Sequence, residues 1–289
     1  TTVSRPVPHG RDRVESGRLP RMALEDTDSN GGAPEASRTG AQAVERAMAI
    51  LRCFEDEDDD LGISEIAKRT GLRVSTAHRI VRALCGGGLM DQDRRSERYR
   101  LGRTLVLLGQ RAASQLGLES ARPVLERLAQ ATGESASLGA RQGDELVVVL
   151  VASSAQRLRF DHEQGGRIGM HASAMGKAVL SNSTRDLARA VPEGLVLDRY
   201  TAHTITDREE LLADLAGTRE RGYAVNDQGR FDGVVGIGAP LLGRDGLAHA
   251  AVGVQGPMSR LTPDIVPQVA AEVRKAADEL AGLPVLDRL

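Results

Sequence analysis

Apolar residues in the first third of the chain recur at the spacing of amphipathic helices. A first helix is predicted to begin near Ala41, with one buried stripe formed by Val44, Ala47, Met48, Leu51 and Phe54. A second, of about two turns, is predicted from Ser64, as N-cap, to Gly71. A third runs from Ser75 to Cys85 and ends at three consecutive glycines.

After the third helix the pattern changes to short extended segments. Leu89–Met90 and Tyr99–Leu101 flank a polar tip, which predicts a two-stranded hairpin. Two more helices are predicted at Thr104–Leu116 and Glu119–Thr132, with a domain boundary near Gly117.

The second half of the chain alternates between strand and helix patterns. The predicted strands are Ser135–Ala140, Glu145–Ala152, Gly233–Leu241 and Ala248–Gln255. The predicted helices are Ala174–Ser181, Asp207–Arg221 and Pro263–Ala281. This mixture is typical of an α/β or α+β domain. The length of 289 residues also favours more than one domain, because a single core rarely exceeds about 250 residues.

The composition is that of an ordinary globular protein, with 40% hydrophobic and 27% charged residues. The longest apolar run, Leu146–Ala152, is far shorter than the roughly 20 residues of a membrane helix, so no membrane association is expected. Cys53 and Cys85 lie within helical patterns, which favours small packed thiols over a disulfide or a metal site. We therefore expect a reducing, cytoplasmic location and no cofactor.

Charge is distributed unevenly along the chain. The net charge of −2 argues against a strongly basic nucleic-acid binder, yet residues 65–103 contain ten basic and four acidic residues, a local charge of +6. The acidic run at residues 55–60 is interpreted as a solvated loop, and a role in restraining nonspecific DNA contact is the alternative.

The third helix combines an apolar face with a polar one. Ala77, Val81 and Leu84 lie on one side at 100° per residue, whereas Ser75 and Arg79 lie on the other. A solvated helix also exposes such residues, but the short preceding helix and the basic hairpin favour a winged helix-turn-helix. The predicted DNA-binding residues are Arg73, Ser75, Thr76, His78, Arg79, Arg82, Arg98 and Arg100.

Six segments together resemble the IclR family of transcriptional regulators. Three lie in the first domain: AVERAMAIL at 43–51, ISEIAKRTG at 63–71 and STAHRIVRAL at 75–84. The other three follow the boundary: HASAMGKA at 171–178, RGYA at 221–224 and AAVGVQGP at 250–257.

The resemblance implies a ligand-responsive regulator that binds near-palindromic operator DNA as a homodimer or homotetramer. We expect a repressor of a metabolic or catabolic operon, although the sequence leaves activation, and the choice between dimer and tetramer, open. The expected organisation is a disordered leader (1–39), a winged helix-turn-helix domain (40–102), a linker helix (103–117) and a GAF-like effector-binding domain (118–285).

The resemblance also implies a pocket for a small-molecule effector. Its lining positions correspond to Ala174, Met175, Asn226, Val234, Gly236, Gly253 and Gln255. Family members that bind small carboxylates often have an acid, a cysteine and two serines at four of these positions. Because this chain has Asn226, Gly236, Gly253 and Gln255 there, we expect more room and a larger or less charged ligand.

Other functions have weaker support in the sequence. A hydrolase triad of Ser173, His171 and Asp161 lacks a Gly-x-Ser-x-Gly elbow, so no catalytic residue is predicted. A phosphate loop at Gly176–Lys177 lacks the remaining Walker A residues. The histidines after the boundary show no metal-ligand spacing. A DNA-binding architectural protein without a ligand is the remaining alternative.

Overall fold

A computed structural model describes residues 35–55 and 60–284 of the chain. The helices are α1 (Glu35–Arg52), α2 (Ile63–Thr70), α3 (Val74–Gly86), α4 (Arg103–Leu116), α5 (Leu118–Thr132), α6 (Ala174–Ser181), α7 (Arg208–Arg221) and α8 (Val266–Ala281). The strands are β1 (Met90–Gln92), β2 (Tyr99–Leu101), β3 (Ser135–Gln142), β4 (Glu145–Ala152), β5 (Arg167–Gly169), β6 (Ala224–Asp227), β7 (Val234–Leu242) and β8 (Ala248–Pro257). Most of the predicted leader and of the acidic run lie outside the described residues.

The first domain packs α1, α2, α3 and the β1–β2 hairpin around a small apolar core. Its fully buried side chains include Ile50, Ile66, Val81 and Met90. The N-cap of α2 is Gly62, whose backbone N–H donates to Glu65 Oε2 over 2.7 Å. The prediction that Ser64 caps this helix was therefore wrong, because the glutamate in the first turn satisfies the free amide.

The hairpin is held by a turn whose tip is organised by one carboxylate. Met90 pairs with Leu101 and Gln92 with Tyr99 in antiparallel register. Asp93 Oδ1 accepts hydrogen bonds from the backbone N–H groups of Arg95 and Ser96. The hairpin is thus a compact wing beside α3.

The second domain is built on a six-stranded, fully antiparallel sheet with the order β5-β4-β3-β8-β7-β6. The four predicted strands form its centre. Strands β5 and β6 escape prediction because they have three and four residues, too few to show a period of two.

Helices cover both faces of this sheet. Helices α5 and α8 share one apolar core with β3, β7 and β8, whereas α6 and α7 lie in a second core with the first half of β4. The register between β3 and β4 shifts at Leu138 and Gly139, which leaves Val149 as a bulged residue. Consequently Leu146 and Leu150, although both even-numbered, belong to different cores.

Helix α4 connects the two domains and has no buried residue within this chain. Val106, Leu107 and Leu108 are 60%, 65% and 55% exposed. Ala113 and Leu116, near the end of the helix, are half-buried against the core of the second domain, so only the first half of α4 leaves its apolar residues open to solvent, an exposure typical of a surface that another molecule covers. Among the described residues, no helix is long and apolar enough to cross a lipid bilayer.

Gly102, at the junction of the wing and α4, provides a test of the first domain. A Cβ there would lie 2.2 Å from Gly88 O and 2.8 Å from Met90 N, so the backbone would have to shift. We expect Gly102→Ala to lower the free energy of unfolding by about 2 kcal/mol, measured by thermal denaturation. Gly86→Ala, where a Cβ meets no atom within 4 Å, is the matched control. An equal loss in both variants would contradict this account.

Candidate functional site

The polar face of α3 is exposed along its whole length. Ala77, Val81 and Leu84 are buried against the first domain, and the opposite side is open. Five of the predicted DNA-binding residues are exposed there, namely Arg73, Ser75, His78, Arg79 and Arg82, and Thr76 is half-buried. The spacing of these residues is that of a helix able to present side chains to base edges while its other face packs.

The wing arginines differ in how many of their donors are free. Arg98 Nε donates to Asp60 O over 2.6 Å and its Nη2 to Glu65 Oε2 over 2.8 Å, so this side chain ties the wing to α2. Arg100 Nη1 lies 3.9 Å from Asp60 Oδ2. The phosphate contacts predicted for both remain predictions. Arg94 and Arg95 at the tip are exposed and project the wing's positive charge.

A cavity opens in the second domain between the first turn of α6 and the strands β7 and β8. Counted out to its open mouth, it contains about 420 Å³ of empty space. All seven residues predicted to line the effector pocket border this one cavity, although they come from α6, β6, β7 and β8.

Of two glycines that line the cavity, only one adds space to it. A Cβ at Gly236 would lie 3.4 Å from Ala174 Cβ, in ordinary contact, so glycine there adds a little space. A Cβ at Gly253 would lie 2.7 Å from Ile237 O and 2.8 Å from Met175 Cγ. The expected extra room is therefore absent at Gly253, because Met175 and backbone already fill it.

The cavity has further lining residues that sequence comparison did not indicate. They are His162, Ile168, Ala172, Ser173, Arg230, Phe231, Ile237 and Val254. No pattern in the sequence indicated that His162 and Ile168 line the cavity, because the long connection between β4 and α6 shows no periodicity. Arg230 and Phe231 lie four and five positions beyond Asn226, so proximity to a predicted lining residue was the only available signal.

Two histidines near the cavity are held in the neutral form. Burial, together with the positive charge of Arg230, lowers the pKa of His162 to about 4. His162 Nδ1 lies 3.1 Å from Ser137 Oγ. Burial also lowers the pKa of His171, whose Nε2 lies 2.9 Å from Asp198 O. At neutral pH the histidines therefore contribute polar but uncharged groups.

Ser173, His171 and Asp161, the candidate hydrolase triad, have hydrogen-bond partners other than one another. Ser173 Oγ caps α6 by accepting from Gly176 N over 3.0 Å and donates to Gly169 O over 2.9 Å. Asp161 accepts from Ser135 Oγ and from Arg159 Nε. The geometry thus provides no nucleophile–base pair among them. Across the described ranges, no three His, Cys, Asp or Glu side chains are grouped to hold a metal ion.

Comparison with known proteins matches both domains to one family. Residues 43–94 match the model described as the IclR helix-turn-helix domain, and residues 110–281 match the bacterial transcriptional regulator IclR C-terminal model. These matches confirm the predicted winged helix-turn-helix and α+β effector-domain fold.

Three proteins illustrate the similarity. The HTH-type transcriptional regulator BhcR of Paracoccus denitrificans is 34% identical, over 87% of this chain and 90% of its own length. The HTH-type transcriptional repressor AllR of Salmonella typhi is 29% identical, over 87% and 93%. The crystal structure of an IclR homolog complexed with 4-hydroxybenzoate, from Microbacterium hydrocarbonoxydans, is 25% identical with a TM-score of 0.71, covering 86% of this chain and 100% of that one.

The depressed pKa of His162 predicts a specific pH dependence of stability. In the unfolded chain the imidazole of His162 has a pKa near 6.5, whereas in the folded protein its pKa is about 4. Between these two pH values the unfolded state therefore binds a proton that the folded state does not bind. The contribution of the neutral His162 to the free energy of unfolding is therefore fully present above about pH 6.5 and is lost progressively as the pH falls towards 4. Between about pH 7.5 and about pH 5 we expect the wild type to lose about 1–2 kcal/mol more than His162→Gln, measured by urea denaturation. Identical losses in both proteins would refute this assignment.

Proposed function

This chain belongs to the IclR family of bacterial transcriptional regulators, and from that premise we propose that it is a ligand-responsive repressor of a metabolic or catabolic operon. The observation that carries the proposal is the exposed face of α3, where Arg79 and Arg82 project away from a buried apolar face. Arginine can form two hydrogen bonds to one guanine, which makes it the commonest base-reading side chain in the major groove. The relative AllR, described as a repressor, supports the sign of regulation.

The DNA-binding unit is proposed to be a homodimer. The apolar residues left exposed on α4, Val106, Leu107 and Leu108, supply a face that a second copy would cover, and Val44 and Met48 on α1 are exposed as well. A two-fold pair would place its two α3 helices on half-sites about 34 Å apart, so the operator is expected to be near-palindromic. Pairing of two dimers into a tetramer would add contacts without changing this geometry.

The cavity beside α6 is proposed to bind the effector. It combines concave shape, mostly apolar lining and a few polar groups, as small-molecule sites generally do. A structural neighbour has been crystallised with 4-hydroxybenzoate, a small organic acid. A ligand that binds one quaternary arrangement more tightly than another shifts the balance between them, and thereby changes operator affinity. An architectural protein that binds no ligand would keep the same operator affinity whichever metabolite is added.

The DNA-binding assignment predicts a sequence-dependent loss for Arg79→Ala. With an operator selected from random DNA by the wild-type protein, we expect binding about 10- to 100-fold weaker, because one bidentate base contact is lost. Binding to unrelated DNA should change little. Arg244→Ala, an exposed arginine in the β7–β8 turn, is the charge-matched control. Fluorescence anisotropy at fixed salt measures the DNA affinity of the wild type, Arg79→Ala and Arg244→Ala. Unchanged operator affinity in Arg79→Ala would exclude α3 as the reading helix.

The oligomer assignment predicts that a charge on α4 separates the subunits. Leu107→Asp places a carboxylate in the proposed apolar interface, so the dimer should dissociate at concentrations about 10-fold or more above the wild-type value. Val196→Asp, at a residue that is 66% exposed in the second domain, should leave the dimer intact. Analytical ultracentrifugation gives both constants. A Leu107→Asp protein that dimerises normally would rule out this face.

A further inference from the structure

Among the residues that the structure describes, Arg230 is the only charged side chain that lines the cavity. The lining otherwise consists of apolar residues, glycines, Ser173, Asn226, Gln255 and the neutral His162, with no Asp or Glu among them. In the described part of the chain, the guanidinium of Arg230 forms neither an ion pair nor a hydrogen bond. Most other arginines of this domain that are equally buried, such as Arg219 and Arg208, donate to carbonyl oxygens.

The Arg230 guanidinium is oriented by aromatic rings and not by acceptors. Its central carbon lies 4.0 Å from the centroid of the Tyr200 ring and 5.7 Å from that of Phe231. Tyr200 is itself stacked on His171, with centroids 5.9 Å apart. Contact with ring faces fixes a guanidinium while leaving its in-plane N–H donors available. Those donors match the two oxygens of a carboxylate.

The loop that carries Arg230 is anchored before any ligand binds. Thr201 Oγ1 donates to Gln228 O over 2.8 Å, and Thr204 Oγ1 donates to Gly229 O over 2.8 Å. Gln228 Oε1 in turn accepts from Gly233 N over 3.0 Å. These bonds hold the segment on both sides of the arginine, which reduces the entropy that binding would cost.

The surroundings of Arg230 define what else the ligand would need. The first turn of α6, with Ala174 and Met175 at the cavity, adds the positive end of a helix dipole to the same space. Beyond these groups the walls are apolar, from Ile168, Val234 and Ile237. A second anionic group would meet no second cation there, and leaving it without a partner is costly.

We propose that the effector is a monocarboxylic acid with an apolar body, and that Arg230 is the residue that binds its carboxylate. This inference rests on the proposed function and names the ligand class of the same cavity. It also refines the expectation drawn from Asn226 and Gln255. Those two positions are indeed neutral, but the charge is supplied by Arg230 from the adjoining loop.

The test uses benzoate and phenylacetate as probes, with benzamide as the neutral isostere and succinate as a dicarboxylate. Isothermal titration calorimetry on the full-length protein should show binding of the two monocarboxylates, and binding of benzamide and succinate at least about 10-fold weaker. Arg230→Gln should weaken monocarboxylate binding by about 10- to 100-fold, because a charge-assisted pair is lost. The affinity of Arg230→Lys for the monocarboxylates should lie between those of the wild type and Arg230→Gln. Arg244→Gln should bind them as tightly as the wild type does. Circular dichroism verifies that each variant is folded.

The outcomes separate this inference from the proposed function. Benzoate binding that is equal in the wild type and in Arg230→Gln would overturn the role of Arg230, while leaving the cavity as the effector site. Failure of both monocarboxylates to bind the wild type, or equal binding of benzamide, would overturn the ligand class. The proposed DNA-binding function is judged independently, by the effect of Arg79→Ala on operator affinity.

Discussion

The close approach of α6 to the centre of the sheet is the contact on which the second domain depends. A Cβ at Gly238 would lie 2.8 Å from Met175 N, and one at Gly176 would lie 2.4 Å from Met170 O. Only glycine allows backbones to meet at such distances. All eight residues of α6 are consequently buried, and the first turn of the helix ends at the edge of the cavity. The same contact therefore closes one apolar core and shapes one wall of the site.

Two cations of this domain that lie in or beside its core are paired with carboxylates. Lys177 on α6, only 5% exposed, has its Nζ 2.9 Å from Asp214 Oδ2 on α7. Arg260 forms a two-pronged pair with the buried carboxylate of Glu134. Such pairs are costly to break, because the remaining charge would be buried alone. Arg230 differs from both, because its neighbours are aromatic rings and no carboxylate among the described residues pairs with it.

The edge strand β5 connects the cavity with the first domain. Ile168 lines the cavity, and the preceding residue, Arg167, has its Nε 3.3 Å from Glu55 Oε2, just after α1. Arg167 Nη1 also lies 3.1 Å from Glu145 Oε2. A partly exposed pair of this kind contributes little to stability. Its position is its notable feature, because the strand that contributes Ile168 to the cavity also contacts the segment that follows α1.

The sequence by itself determined the elements with strong periodicity and the residues that α3 exposes, whereas Val44 and Met48 of the stripe predicted to be buried on α1 are exposed. The apolar stripes placed α3, the wing and the four central strands, and the polar face of α3 followed from its angular spacing. Tertiary structure alone decided what depends on distant neighbours. The bulge at Val149 reassigns Leu150 to the other core, Arg98 is tied to Asp60, and Arg230 reaches a cavity lined mainly by other elements. The physical reason is the distance along the chain over which each acts. Periodicity is a local pattern that shows which side of an element is buried, whereas a site is formed by residues distant in sequence that only folding brings together.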